Sequence, residues 1–128
     1  MSELKPGSMS KRRNRVIIAG SRDFDNFELL KTKCDLILAR DNNCEIVSGT
    51  ARGADKLGEK YAELRGLPVK KFAPDWDKHG KKAGYIRNEA MANYADALIA
   101  FHMSGSRGTA HMIKIAEEAG LPTRIIKI

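Results

Sequence analysis

Short apolar runs alternate along this chain with longer stretches in which apolar residues recur every three or four positions. Arg15–Ala19 is rich in β-branched residues and stops at Gly20, which predicts a first strand. Phe27, Leu30, Cys34, Ile37 and Leu38 recur at helical spacing within Phe27–Arg40, and Asp25 or Asn26 is placed to cap that helix. Asp41-Asn42-Asn43 reads as a turn and Cys44–Val47 as a second strand. Ala54–Arg65 reads as a helix with Leu57, Tyr61 and Leu64 on its buried face and Gly66 as its stop. Pro68–Phe72 is a third strand, followed over Ala73–Ala83 by what its Pro, Asp, Lys and Gly content predicts to be a surface loop. Gly84–Ala95 reads as a helix burying Ile86, Met91 and Tyr94. Ala97–Phe101 is a nearly all-apolar fourth strand, as expected when both faces of a sheet are covered. Thr109–Ala119 is a helix with Met112, Ile113 and Ala116 facing in, and Thr123–Ile128 is the last strand. Two helices end in Gly-Leu-Pro before a strand, which reads as a recurring turn chemistry.

Strict alternation of strand and helix predicts a single-domain, Rossmann-like, three-layer α/β fold with a five-stranded parallel sheet. In such a sheet all strand ends of one polarity share an edge. Three of those ends run into glycine-bearing polar turns: Gly20-Ser21-Arg22, Ser48-Gly49-Thr50-Ala51-Arg52-Gly53-Ala54-Asp55, and Ser104-Gly105-Ser106-Arg107-Gly108-Thr109. The second is the strongest local signal. Gly49 permits a sharp turn and Gly53 a close approach to the backbone. The following helix start offers unpaired N–H groups and a positive dipole end, and Thr50 and Arg52 add donors. Asp55 suits a structural cap, since a carboxylate beside a phosphate is costly unless it holds sugar hydroxyls. The third turn, with two glycines, two hydroxyls and an arginine, resembles an anion nest, yet lacks the Lys-Ser or Lys-Thr of a Walker loop. Each turn taken alone also fits an ordinary surface connection. Together at one edge they favour a phosphate-bearing ligand.

Composition narrows the classes. The 128 residues are 42% hydrophobic and 30% charged, which predicts one folded domain. No apolar stretch is long enough to span a bilayer, and no apolar segment follows the basic start, so neither membrane insertion nor a signal peptide is expected. Cys34 and Cys44 lack metal spacing and are expected to be reduced and buried in a cytoplasmic protein. Of the formal charge of +7, residues 1–15 hold +4, from Lys5, Lys11, Arg12, Arg13 and Arg15 against Glu3. Residues 1–14 are expected to form a solvated, disordered basic tail, within which Gly7-Ser8-Met9 looks like a foreign junction before a native start at Met9. A nucleic-acid arm is the sharper alternative.

Outside the turns, Arg87-Asn88-Glu89 opens a helix, where Arg87 is placed to reach across the crevice and Asn88 to read base or ribose. Asp75-Trp76-Asp77 offers two carboxylates and an indole suited to a lid or a core anchor. His79, His102 and His111 show no metal-ligand spacing, and no metal or cofactor is expected.

Gly20-Ser21-Arg22-Asp23-Phe24, Ser48–Asp55, Asp75-Trp76, Ile86-Arg87-Asn88 and Ser106-Arg107-Gly108-Thr109, in that order, resemble the YspA-type, cpYpsA-related members of the SLOG superfamily, from about Arg15 to the end. The resemblance implies a Rossmann-like domain over 15–128 with a pocket for nucleotides or nucleotide-derived, ADP-ribose-like molecules. It also implies a kinship to LOG phosphoribohydrolases, which cleave an N-glycosidic bond, and to DprA-like DNA-binding proteins. Arg87-Asn88-Glu89-Ala90-Met91 is similar to the LOG Arg-Lys-x-x-Met motif with Asn88 for lysine, and Gly108-Thr109 matches its Gly-Thr. Where the LOG glutamate stands, this chain has Met112, and a thioether neither stabilises an oxocarbenium ion nor moves a proton.

The first expectation is therefore a binding module for a nucleotide signal. Its phosphates would lie on Gly20–Arg22, Gly49–Gly53 and Gly105–Thr109, with Arg87 and Asn88 orienting ribose or base. The alternative is a nucleotide N-glycosidase using Arg87 with Asp75, Asp77 or Glu89. Nucleic-acid binding through the tail ranks third, for want of interleaved aromatics. A homodimer through the helix Tyr85–Tyr94 is a further expectation.

Overall fold

In a computed structural model, which describes residues 13–39, 41 and 43–128, five parallel strands form one sheet. In chain order these are β1 (Asn14–Gly20), α1 (Phe27–Ile37), β2 (Cys44–Ser48), α2 (Ala54–Arg65), β3 (Val69–Lys71), α3 (Trp76–His79), α4 (Ala83–Tyr94), β4 (Ala97–His102), α5 (Arg107–Glu118) and β5 (Thr123–Lys127). The strands lie in the order β3-β2-β1-β4-β5. The chain winds outward from β1 to β3, then crosses back to place β4 on the other side of β1. Val16 pairs with both Ile46 and Ala97, and Gly20 pairs with Phe101.

The period-2 geometry of a strand sorts the core into two halves. Val16 and Ile18 face one way, with Ile46, Ile99 and Phe101, under α1 and α2. Ile17 and Ala19 face the other, with Val47, Leu98 and Ala100, under α4 and α5. The rings of Phe24 and Phe101 stack at 5.2 Å.

Both Gly-Leu-Pro segments fold alike. Gly66 and Gly120 take positive φ, of 68° and 78°. Leu67 N–H reaches back to Ala62 O and Leu121 N–H to Ala116 O, at 2.8 and 2.9 Å. This is the six-to-one closure that left-handed glycine allows after a helix. Pro68 O and Pro122 O then accept from Ile46 and Leu98, so each turn delivers the next strand into register.

Several expectations are corrected. The stretch 73–83 is not all loop: Asp75 Oδ1 accepts from Lys78 N–H at 3.1 Å and caps α3, and a 3-10 turn, Gly80–Lys82, leads into α4. Leu64 and Ile86 are exposed. Tyr61 and Met91 are buried as expected, and with them α2 buries Ala54, Asp55, Gly58 and Ala62, and α4 buries Ala83, Asn88 and Ala92. The N-cap of α1 is Asn26. β1 begins at Asn14, inside the expected tail; the rest of that tail up to Arg12, and Arg40 and Asn42, lie outside the described residues. Cys34 and Cys44 are buried free thiols, and burial pushes them up to about 12 and about 11. Among the described residues no helix is long and apolar enough to cross a membrane.

Candidate functional site

The chain reverses its winding between β1 and β4, and at that point the turns after β1 and β4 diverge and leave a crevice. A cleft of about 520 Å³ opens there. Gly20, Ser21 and Arg22 from the first turn, Ala51, Arg52 and Asp55 from the second, and Ser104–Thr109 from the third line it, with Arg87 and Asn88 from α4.

The first two turns are locked together. Ser21 N–H donates to Phe101 O, and Ser21 O accepts from Ala54 N–H, both at 3.1 Å. A Cβ on Gly53 would overlap the Ser21 carbonyl oxygen, and one on Gly20 would overlap Phe101 O. Gly53 also holds φ at 80°. The N-terminus of α2 is thus less open than the sequence predicts. Ala54 N–H is bound by the neighbouring turn, and Ala51 N–H donates to Asp55 Oδ2 at 3.1 Å.

Asp55 does not cap α2, whose N-cap is Gly53; it holds the turn from inside. It is buried, and that burial pushes its carboxyl up to about 6, with the Ala51 hydrogen bond and the Arg87 charge pulling the other way. Gly49 separates Asp55 from Arg87. A Cβ there would lie 2.7 Å from Arg87 Nη1 and 2.8 Å from Asp55 Oδ2. Arg87 donates from Nη1 to Gly49 O and from Nε to Asn88 Oδ1 at 2.9 Å. Burial lowers its pKa, though a guanidinium stays charged all the same.

Ser48 is wholly buried and outside the cleft lining. Its hydroxyl donates to Glu59 Oε2 at 2.6 Å and accepts from Thr50 N–H at 3.1 Å. That bond supports Thr50 at φ 68°, a left-handed conformation that is strained for a β-branched residue. Asn88 is equally buried. Its Nδ2 sits 3.4 Å from Gly108 O and 3.2 Å from His111 Nδ1, tying α4 to the start of α5. Burial holds His111 below its ordinary pKa, so the neutral ring accepts that bond.

The third turn is built differently. Gly105 and Gly108 have nothing within 4 Å of a would-be Cβ. Ser106 Oγ and Thr109 Oγ1 bond each other at 2.8 Å rather than capping α5. Among the described residues no acceptor serves the N–H groups of Arg107, Gly108 and Thr109, which begin a twelve-residue helix. Arg22, Arg52 and Arg107 are exposed around this opening, and among the described residues only Arg52 is paired, with Asp23 at 3.5 Å. The cleft can therefore take an anion at one end and present buried polar side chains, Asp55 and Asn88, at its floor.

Of the carboxylates proposed for catalysis, Asp75 caps α3, and Asp77 and Glu89 are outside the cleft lining. Met112 lines the floor, so the thioether stands where a LOG-like acid is expected. Lys81, Tyr85 and Met103 also line the cleft without having been singled out in the sequence. Lys81 escaped notice inside the stretch read as loop. Among the described residues no group of His, Cys, Asp and Glu could hold a metal.

The family model described as the YspA, cpYpsA-related SLOG family matches residues 14–79. The Gene 61 protein of Mycobacterium phage D29 is 35% identical over 115 residues, covering 84% of this chain and 92% of that protein. Among solved structures, DNA processing protein A (DprA) from Streptococcus pneumoniae superposes with a TM-score of 0.69 at 18% identity. That match covers 89% of this chain and 50% of the DprA chain, and it shows a shared fold.

Proposed function

Because this chain belongs to the YspA, cpYpsA-related SLOG family, we propose that its cleft binds a nucleotide or nucleotide-derived ligand as a sensing or sequestering module. The observation that carries this reading is the meeting of three glycine turns at one cleft, with the unserved N–H groups of α5 at its mouth. In this reading the phosphate sits on Gly105–Thr109, and Arg22 and Arg107 supply charge-assisted bonds from the rim. Asp55 and Asn88 at the floor face the sugar hydroxyls. Calorimetry with AMP, ADP-ribose and NAD tests it; binding is expected below millimolar concentration, and no heat with any of them ends it.

One observation favours a second reading, hydrolysis of a nucleotide N-glycosidic bond. Asp55 is a buried carboxyl in the cleft whose pKa, about 6, suits delivery of a proton to a departing base. Water would add to the anomeric carbon as the base leaves with that proton, and the proton that the water sheds would return to the Asp55 carboxylate. Chromatography for free base after incubation with common nucleotides decides it. The exposed Tyr85 and Ile86 on α4 support pairing of two copies, which light scattering on the eluting peak tests.

A further inference from the structure

The cleft does not end at the α5 helix start. Beyond Arg22 and Arg52 lies a second hollow of about 500 Å³, backed by Ala73 and Pro74 and bounded by Thr50. Arg22, Ala51, Arg52, Trp76 and Arg87 line both hollows, so the wall between them belongs to each. That wall carries three guanidinium groups and one indole. Among the described residues Arg52 pairs with Asp23, both largely exposed, and the buried Asp55 carboxyl lies near Arg87.

The two hollows differ in chemistry. The first holds buried polar groups, Asp55 and Asn88, and the unserved helix N–H groups. Among the described residues the second has no carboxylate in its lining: apart from the shared arginines it offers a threonine, two alanines, a proline and the indole. Trp76 is 51% exposed, yet it does not hang free. Its Cη2 edge would lie 3.8 Å from a Cβ built on Gly84, so the start of α4 backs one edge of the ring. Among the described residues no ring or cation partners the indole, which leaves a flat π face to stack a planar group.

We propose that the two hollows form one bipartite site for a ligand made of two halves joined through phosphate. The linking phosphates lie against Arg22, Arg52 and Arg87, one half occupies the polar cleft, and a planar ring of the other half stacks on Trp76. This deepens the nucleotide reading above and rests on it. A mononucleotide would fill the polar cleft alone and leave the second hollow empty.

Trp76 is the single tryptophan of the chain, so its emission reports stacking at the wall between the two hollows. Affinities for AMP and for P1,P2-di(adenosine) diphosphate are compared by calorimetry, with emission recorded alongside. The dinucleotide is expected to bind about tenfold tighter or more, which is what one stacked base plus phosphate contacts supplies. Emission should shift with the dinucleotide and far less with AMP. In W76A the ratio of the two affinities should fall to within about twofold of one. In W76F, which keeps a ring, most of the ratio should survive; circular dichroism on both variants confirms folding. Equal affinities in the parent protein with unmoved emission would overturn the bipartite site while leaving nucleotide binding intact. Absence of any AMP or dinucleotide binding would remove both.

Discussion

The turn after β2 and the turn after β4 look alike in sequence and differ in construction. Each has two glycines, hydroxyls and an arginine ahead of a helix. In the first, Gly53 exists because another backbone occupies the space a side chain would need, and the first N–H of the helix is tied to Ser21 O. In the second, Gly105 and Gly108 face open space, and the helix N-terminus is tied to nothing within the described residues. The first is scaffold, the second is cradle. Glycine in such a turn is thus no direct evidence of a ligand; what its missing Cβ would touch distinguishes the two uses.

The sharpest way to break this contrast is Gly53→Ala. Overlap with the Ser21 carbonyl, together with φ at 80°, should cost about 3 kcal/mol or more, read as a loss of urea midpoint. A variant of parental stability would show that the two turns are not interlocked. Next in size is the buried carboxylate behind that turn. The Asp55 pKa is raised from 3.8 to about 6, so the folded state holds the proton more tightly than the unfolded chain. Its burial is tolerated best below about pH 4, and stability falls as pH climbs through that window. Above pH 6 the penalty approaches roughly 3 kcal/mol relative to pH 4, and D55N should lack that slope. Parallel curves for the two proteins would deny the carboxylate its charge cost.

Thr50→Gly should raise stability by about 1 kcal/mol, since the left-handed residue beside the scaffold turn would lose its strain. A drop would mean that the threonine methyl or hydroxyl holds the turn. The smallest stability effect belongs to Gly108→Ala. It should lie within about 0.5 kcal/mol of the parent, because nothing stands near the added methyl. The same change places a methyl at the cleft mouth and should weaken AMP binding severalfold by calorimetry. Unfolding instead of weakened binding would move this turn into the scaffold class.

The fold was legible because buried parallel strands advertise themselves as apolar runs, and β1 and β4 carry such runs, with a shorter one at Ile46 and Val47 in β2. Helix faces were less so. α2 buries Tyr61 and packs Leu57 on the core as its periodicity predicts, but it also buries Ala54, Gly58 and Ala62, with Gly58 pressed on Ile18, and Leu64 points out. Hydrophobic periodicity weights large residues, so it misses the small ones that let the helix approach the sheet and overextends the face to Leu64. α3 was hidden by a composition that reads as loop, though its Asp75 cap was visible in principle. At the cleft, the residues on the turns after β1 and β4 could be picked out because glycine and arginine at strand ends are conspicuous. Ser48 could not be placed, since its partner Glu59 lies eleven residues on and no local pattern links them. Nor could Lys81 or Met103, which reach the cleft only through tertiary packing.

The locked carbonyl of Ser21 bears on how this molecule would tolerate being rebuilt. With that oxygen serving Phe24 and Ala54 together, at 3.3 and 3.1 Å, extra residues between Thr50 and Gly53 would pry two helices off the sheet. Between Ser104 and Gly105 a longer loop would merely overhang the entrance. Grafted segments that recast selectivity therefore belong after β4, where the architecture leaves length unspecified.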